Sequence, residues 1–146
     1  MIFIASDHAG FKLKSKIIEM FKKEDYEFVD LGTNSEARVD YPVYCKELVA
    51  KLEDLGEDNY GILICGTGIG MSICANRNSN IRGALCKDVK TARLSREHNN
   101  ANVLILAGRS TSSFKAKKMV KVFLDTAFLG GRHENRLSMI DKNLQN

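Results

Sequence analysis

Five short apolar runs alternate with amphipathic stretches along this chain, and that alternation restricts the possible folds more than any other feature. The runs occupy residues 1–6, 26–32, 60–66, 81–86 and 101–108. The stretches between them carry apolar residues at helical spacing, as Leu13, Ile17 and Phe21 do. Strands that alternate with helices form parallel sheets covered on both faces. The 146 residues therefore predict one domain over 1–146, an α/β, doubly wound (Rossmann-like) sheet of five parallel strands with a C-terminal helical tail.

Local signals predict where the helices lie. Pro42 suits the first turn of the second helix, and Asp88 suits the N-cap of the fourth. The third helix is expected to begin near Gly70, and the segment "GGRHENRLSMIDKN" to form the tail. The fifth helix is expected to carry an apolar face made of Ala116, Met119, Val120, Phe123 and Ala127.

Composition excludes several classes of protein. The net charge of +4 is only mildly basic. Lysines such as Lys12, Lys14 and Lys16 scatter around one predicted helix, which is typical of a solvated face and not of a nucleic-acid footprint. No run reaches the ~20 apolar residues of a membrane span. The segment "MIFIASDHAG" lacks the features of a signal peptide, and the four cysteines form no C-x-x-C pair. These features predict a cytoplasmic protein with free thiols, no nucleic-acid partner and no membrane partner.

The topology gives the first functional indication. If the strand order is 2-1-3-4-5, the switch point lies between the first and third strands, where such folds bind ligands. The loops that leave these strands are "SDHAG" (6–10) and "CGTGIG" (65–70). Asp7 and His8 are therefore expected beside Cys65.

The glycine loop favours an anion site, because backbone N–H groups at a helix start are unpaired there. It lacks the lysine of a Walker A loop, and its G-x-G-x-G spacing departs from the dinucleotide fingerprint. A plain structural turn stays open as an alternative. Cys65 could likewise be a core thiol, although a helix N-terminus favours thiolate. Cys45, Cys74 and Cys86 are expected to be structural.

The remaining polar candidates lie elsewhere in the sequence. His98 ends the fourth helix, which suits a general acid but places it at the opposite edge of the sheet from Cys65. A partner chain would have to supply it. Arg132 and Arg136, four residues apart, could grip a phosphate together or be ordinary surface arginines, and Arg109 is a third candidate. Histidine spacing typical of a metal site is missing, so neither metal nor cofactor is expected.

Four motifs in order, "SDHAG", "CGTGIGMSI", "EHNNANVL" and "GGRHENR", resemble the ribose-5-phosphate isomerase type B family. That family includes the allose- and galactose-6-phosphate isomerases. The resemblance implies metal-independent interconversion of ribose 5-phosphate and ribulose 5-phosphate, an aldose–ketose isomerisation of the pentose phosphate pathway. Some members place a glutamate where this chain has Met71, so the chain resembles the cysteine branch.

The resemblance also implies roles for individual residues. Cys65 would move the proton between C2 and C1, and His98 would open the sugar ring. The amides of Gly66, Thr67, Gly68, Ile69 and Gly70 would hold the enediolate oxygens, with the Thr67 side chain assisting. Sugar and phosphate contacts would come from Asp7, His8, Tyr41, Asn99, Arg109, Arg132 and Arg136.

The same resemblance implies a homodimer, possibly paired into a tetramer, with His98, Asn99 and Arg109 supplied by the partner. Three alternatives stay open: preference for a hexose 6-phosphate, a non-catalytic phosphosugar-binding module, and a phosphoacceptor signalling domain. The last is disfavoured because the third strand ends in Cys65 and not in an aspartate.

Overall fold

The computed structural model describes residues 1–56 and 58–142. Within those ranges five strands form one parallel sheet: β1 Ile2–Ser6, β2 Phe28–Asp30, β3 Tyr60–Cys65, β4 Gly83–Leu85 and β5 Val103–Ala107. The same ranges contain six helices: α1 Phe11–Phe21, α2 Tyr41–Leu55, α3 Ile69–Ala75, α4 Val89–Asn99, α5 Ser113–Asp125 and α6 Arg132–Lys142. The predicted alternation is confirmed, and β2 and β4 are shorter than their apolar runs.

The strands lie in the order β2-β1-β3-β5-β4, so the predicted order 2-1-3-4-5 is wrong for the last two strands. Burial explains the exchange. Residues 103–106 of β5 are fully buried, which suits an interior position, whereas Leu85 of the three-residue β4 is 43% exposed and suits an edge. The predicted neighbours β1 and β3 do pair, with Ser6 opposite Ile64. The switch point between them is therefore confirmed.

Alternate side chains of the central strands face two separate cores. Ile4, Ile64 and Leu106 pack with α1, α4 and α5, whereas Phe3 and Leu63 pack with α2 and α3. This division confirms the doubly wound α/β fold, because each face of the sheet has its own helical layer.

The helix ends follow the local signals closely. Pro42 lies in the first turn of α2, and the Asp88 carboxylate accepts a hydrogen bond of 2.7 Å from the Thr91 N–H at the start of α4. The expectation that the fifth helix includes Ala127 is wrong, because Thr126 is extended and α5 ends at Asp125. The tail forms α6, which packs against α4. In the described ranges, no helix combines the length and apolar character needed to cross a membrane.

Candidate active site

The loops that follow β1 and β3 meet at the carboxyl edge of the sheet, as the topology predicts. The Asp7 N–H donates to the Ile64 carbonyl at 3.1 Å, which places Asp7 beside Cys65. Gly10 allows this close approach, because a Cβ there would lie only 2.5 Å from the Ile64 oxygen. Any larger residue would push α1 away from β3. The backbone contact therefore fixes the spacing of the two loops.

Cys65 ends β3 with only 4% of its surface exposed, on the side of the sheet covered by α2 and α3. Cys45 and Cys74 belong to the same packed cluster. The pKa of the Cys45 thiol is raised, first by burial and then by the neighbouring Cys74 and Cys65 sulfurs. Burial also raises the pKa of Cys86 on the opposite face. Cys45 and Cys86 are therefore packed thiols that stay protonated.

The loop after Cys65 presents unpaired backbone donors. Gly68 has φ +77°, a left-handed conformation that favours glycine, and it precedes α3 directly. Ile69 N–H donates to Thr67 Oγ1 at 3.3 Å. Among the described residues, the amides of Gly66, Thr67, Gly68 and Gly70 find no acceptor. The start of α3 can therefore bind a negative charge next to the Cys65 thiol.

Two further aromatic side chains, Tyr41 and His8, come from the start of α2 and from the loop after β1. The Tyr41 ring, at the start of α2, packs on Gly70, where a Cβ would lie 2.6 Å from the ring carbon Cζ. His8 Nδ1 lies 3.2 Å from both the amide nitrogen and the carbonyl oxygen of Val39. In the tautomer that carries its proton on Nε2, Nδ1 accepts from the Val39 N–H and Nε2 can donate to an anion. Both side chains therefore lie at the carboxyl edge of the sheet.

Asp7 has a structural task as well as a possible ligand contact. Its Oδ1 accepts hydrogen bonds from the amides of Ala9 at 2.9 Å and Gly10 at 3.0 Å. These bonds stabilise the loop before α1. Among the described residues Oδ2 has no hydrogen-bond partner, so one carboxylate oxygen is available to a ligand.

Arg109 lies beside the glycine loop of its own chain, whereas the resemblance implies that the Arg109 of a partner serves the site. The backbone N–H of Arg109 donates to the Gly66 carbonyl at 3.1 Å, because the loop after β5 runs beside the loop after β3. A Cβ on Gly66 would lie 3.1 Å from Arg109 Nη1. The guanidinium therefore covers the glycine loop directly.

His98 and Asn99 lie at the opposite edge of the sheet, as the run of α4 predicts. Arg96, in the same helical turn, donates from Nη2 to the Tyr60 hydroxyl at 3.1 Å. Tyr60 begins β3, whereas Cys65 ends it. His98 thus cannot act with Cys65 inside one chain.

Helix α6 places three basic side chains close to His98. Arg132 and Arg136 are exposed, and His133 is 8% exposed and stacks on His98 with ring centroids 4.3 Å apart. The pKa of His133 is lowered, first by burial and then by His98, Arg132 and Arg136. The sequence analysis did not predict that His133 is buried and stacks on His98. Its spacing from the buried Leu137, four residues later on one helix face, was the available signal.

The described residues thus form two separate groups. One group lies at the carboxyl edge and contains Asp7, His8, Tyr41, Cys65, Thr67, the glycine loop with Ile69, and Arg109. The other group lies on α4 and α6 and contains His98, Asn99, Arg132, His133 and Arg136. In those same parts of the chain, no three His, Cys, Asp or Glu side chains cluster as metal ligands would.

Comparison with known proteins gives consistent matches over nearly the whole chain. The family model described as Ribose/Galactose Isomerase matches residues 2–140. The ribose-5-phosphate isomerase B of Escherichia coli is 40% identical over 139 residues, which cover 95% of this chain and 93% of that protein. The crystal structure of a Thermotoga maritima ribose 5-phosphate isomerase superposes with a TM-score of 0.92 at 50% identity, covering 97% of each chain. That of Mycoplasma genitalium ribose-5-phosphate isomerase B, with bound ribulose-5-phosphate, has a TM-score of 0.94 at 41% identity and covers 99% of this chain and 96% of that one.

Proposed function

Because the chain belongs to the ribose/galactose isomerase family, we propose that it interconverts ribose 5-phosphate and ribulose 5-phosphate. The observation that carries this proposal is the position of Cys65 directly before a loop of unpaired amides. A carbon acid needs a base at one atom and stabilisation of negative charge on the neighbouring oxygen. At the carboxyl edge, Cys65 supplies the base and the amides of the glycine loop that follows it supply the stabilisation.

In the proposed mechanism the Cys65 thiolate removes the proton from C2 of the open-chain aldose. The electrons of the C2–H bond form the C1–C2 double bond, and the carbonyl electrons move to O1. The amides of Gly66, Gly68 and Gly70 hold the resulting enediolate oxygens. A proton then passes from O2 to O1 of the enediolate, and the Cys65 thiol returns its proton to C1 while the carbonyl forms at C2. Thr67 assists at the sugar oxygens, and Asp7 Oδ2 accepts a sugar hydroxyl.

The phosphate requires positive charge at the distal end of the substrate. His8 lies in the loop after β1, and Arg109 of the same chain lies beside Gly66. Arg132 and Arg136 are exposed on α6 and would complete the phosphate site from the partner subunit. His98 would enter from the partner with them and protonate the ring oxygen, and Asn99 would bind beside it.

A shared site requires a homodimer. Its support is the separation of the two groups within one chain. Ile69 and Ile73, on the outer face of α3, are each 55% exposed beside the glycine loop, and a partner would cover this apolar surface. A tetramer would need a second apolar surface, which contact between two dimers would cover. The cytoplasmic location stays a prediction that cell fractionation would check.

The first experiment measures turnover of ribose 5-phosphate by EDTA-treated protein, with allose 6-phosphate and galactose 6-phosphate in parallel. Ketose formation strongest on the pentose supports the proposal. Cys65→Ala should abolish it, whereas Cys86→Ala, which removes a packed thiol on the other face, should keep it. Preference for a hexose would change the substrate but keep the mechanism. Binding of all three sugars without turnover would indicate a phosphosugar-binding module instead.

A second experiment tests the shared site. Chains carrying Cys65→Ala and chains carrying His98→Ala are co-expressed, and mixed dimers form. Half of the dimers in a random mixture are mixed, and each has one intact site of two, so about a quarter of wild-type activity should return. No recovery in purified mixed dimers would contradict contribution of His98 by the partner.

A further inference from the structure

His133 is buried against His98 in a nearly parallel stack. The ring centroids are 4.3 Å apart and the ring planes differ by 14°. Offset parallel stacking at this distance is favourable and fixes the relative orientation of two rings. Because His98 lies in the last turn of α4 and His133 in the first turn of α6, the stack joins the two helices at the surface that would face a partner's site.

The segment between α5 and α6 holds this stack in place. Arg96 Nε donates to the Thr126 carbonyl at 3.2 Å, and the Leu129 N–H donates to the Glu97 carbonyl at 3.1 Å. Both bonds attach the segment to the last turn of α4. Its path therefore brings His133 over the His98 ring.

Charge also distinguishes the two rings. Two imidazolium ions 4.3 Å apart repel each other, so the stack favours one proton at a time. Arg132 and Arg136 on α6 add positive charge beside His133, and its burial further disfavours the charged form. His133 is therefore the ring that burial and its positively charged neighbours hold neutral.

We propose that His133 is a positioning residue for His98: its ring holds the His98 imidazole in the orientation that delivers a proton to the sugar ring oxygen of a substrate in the partner subunit. This inference rests on the isomerase function proposed above. It assigns His133 no contact with the substrate. Its consequence is that loss of the flat ring slows ring opening and leaves proton transfer at carbon unchanged.

The two steps can be measured separately. Ribulose 5-phosphate cannot close a furanose ring, because the hydroxyl that would add to C2 carries the phosphate. Exchange of its C1 proton with D2O therefore reports on the Cys65 step alone. Steady-state conversion of ribose 5-phosphate includes ring opening. Both are measured for His133→Ala and His133→Phe, with Asn135→Ala on the same helix as the control.

We expect His133→Ala to lower kcat for ribose 5-phosphate about tenfold with KM little changed, since small misplacement of a catalytic group is costly. His133→Phe keeps a flat ring and should retain most of the wild-type kcat. C1 proton exchange should match the wild type in both variants. NMR should show the His98 ring signals displaced by His133→Ala and less so by His133→Phe.

Three results would overturn the inference: wild-type kcat in His133→Ala, equal losses in both variants, or exchange that falls together with kcat. If His133→Ala does not fold, His133→Leu fills the same volume without a flat ring and replaces it. If the wild-type protein converts no ribose 5-phosphate, the proposed function fails. The comparison of His98 signals between His133→Phe and His133→Leu then still decides whether the stack orients His98.

Discussion

Gly68→Ala should impair both stability and activity, for reasons that the backbone makes quantitative. Gly68 has φ +77°, and an added Cβ would contact Leu85 Cδ1 and lie 3.2 Å from the Leu106 carbonyl oxygen. The left-handed conformation costs an alanine about 1–2 kcal/mol. In a chain of this length, that loss lowers Tm by about 2–8 °C, given about 2–4 °C per kcal/mol. The Leu85 contact adds little, because this half-exposed side chain can rotate away.

The effect on activity should be larger than the effect on stability. Relief of strain at Gly68 rotates the amides that begin α3, and these amides are the proposed donors to the enediolate. Removal of one such donor lowers kcat about 10²- to 10³-fold in enzymes that use an oxyanion hole. Thermal unfolding gives the Tm, and steady-state kinetics with ribose 5-phosphate at 25 °C, where the variant is folded, gives kcat.

Gly61→Ala is the matched control. Gly61 lies near the start of β3, at the other edge of the sheet, and a Cβ there would lie 2.7 Å from Leu48 Cδ2 and 3.1 Å from Val103 Cγ2. Overpacking of this kind costs about 1–3 kcal/mol, so the two variants should lose similar stability. Gly61→Ala should nevertheless keep wild-type kcat. Equal kcat in the two variants, whether both high or both low, would refute the assignment of the loop amides to catalysis.

Three further predictions concern buried groups. The Lys14 ammonium, on a side chain 1% exposed, contacts Asp30, whose side chain is 38% exposed. Asp30→Asn leaves the buried Lys14 ammonium unpaired and should lower the free energy of unfolding in urea by about 3–5 kcal/mol. Lys14→Met leaves a carboxylate that water reaches and should lower it less. Equal losses in the two variants would contradict this reasoning. The lowered pKa of His133 means that the unfolded state takes up a proton first, so stability should fall as pH drops below 6.5. This loss of stability should be smaller in His133→Phe than in the wild type. Urea unfolding midpoints that fall equally with pH in both proteins would contradict the prediction. Iodoacetamide should modify half-buried Cys74 in the native protein and leave Cys45 unmodified, by peptide mass spectrometry; equally rapid modification would contradict the burial of Cys45.

Much of the fold follows from the pattern of apolar runs, and the exception is instructive. Alternation predicts parallel strands and two helical layers, and it places the ends of β1 and β3 side by side. It does not decide between β4 and β5, because right-handed crossovers permit either order. Burial decides: the five-residue run of β5 needs cover on both faces, whereas the three-residue β4 ends in an exposed Leu85. Run length was the signal in the sequence that favoured the observed order.

The candidate site was predictable where it depends on strand ends and unpredictable where it depends on helix packing. Asp7, His8 and Cys65 follow from topology alone, because carboxyl ends of parallel strands share one edge. The position of Arg109 depends on the loop after β5, whose path needs the correct strand order. The stack of His133 on His98 depends on how residues 126–131 cross the end of α4, and no periodicity in the sequence encodes that path.

The two groups of residues are also stabilised independently, and this independence gives the mixing experiment its meaning. The carboxyl edge is held by bonds among the loops after β1, β3 and β5, such as Gly108 N–H to the Cys65 carbonyl at 2.8 Å. The other group is held by bonds between the last turn of α4 and the segment before α6. A Cys65→Ala chain therefore keeps its His98 surface intact, and a His98→Ala chain keeps its glycine loop intact. Activity that returns in a mixed dimer then comes from one undamaged half of each chain.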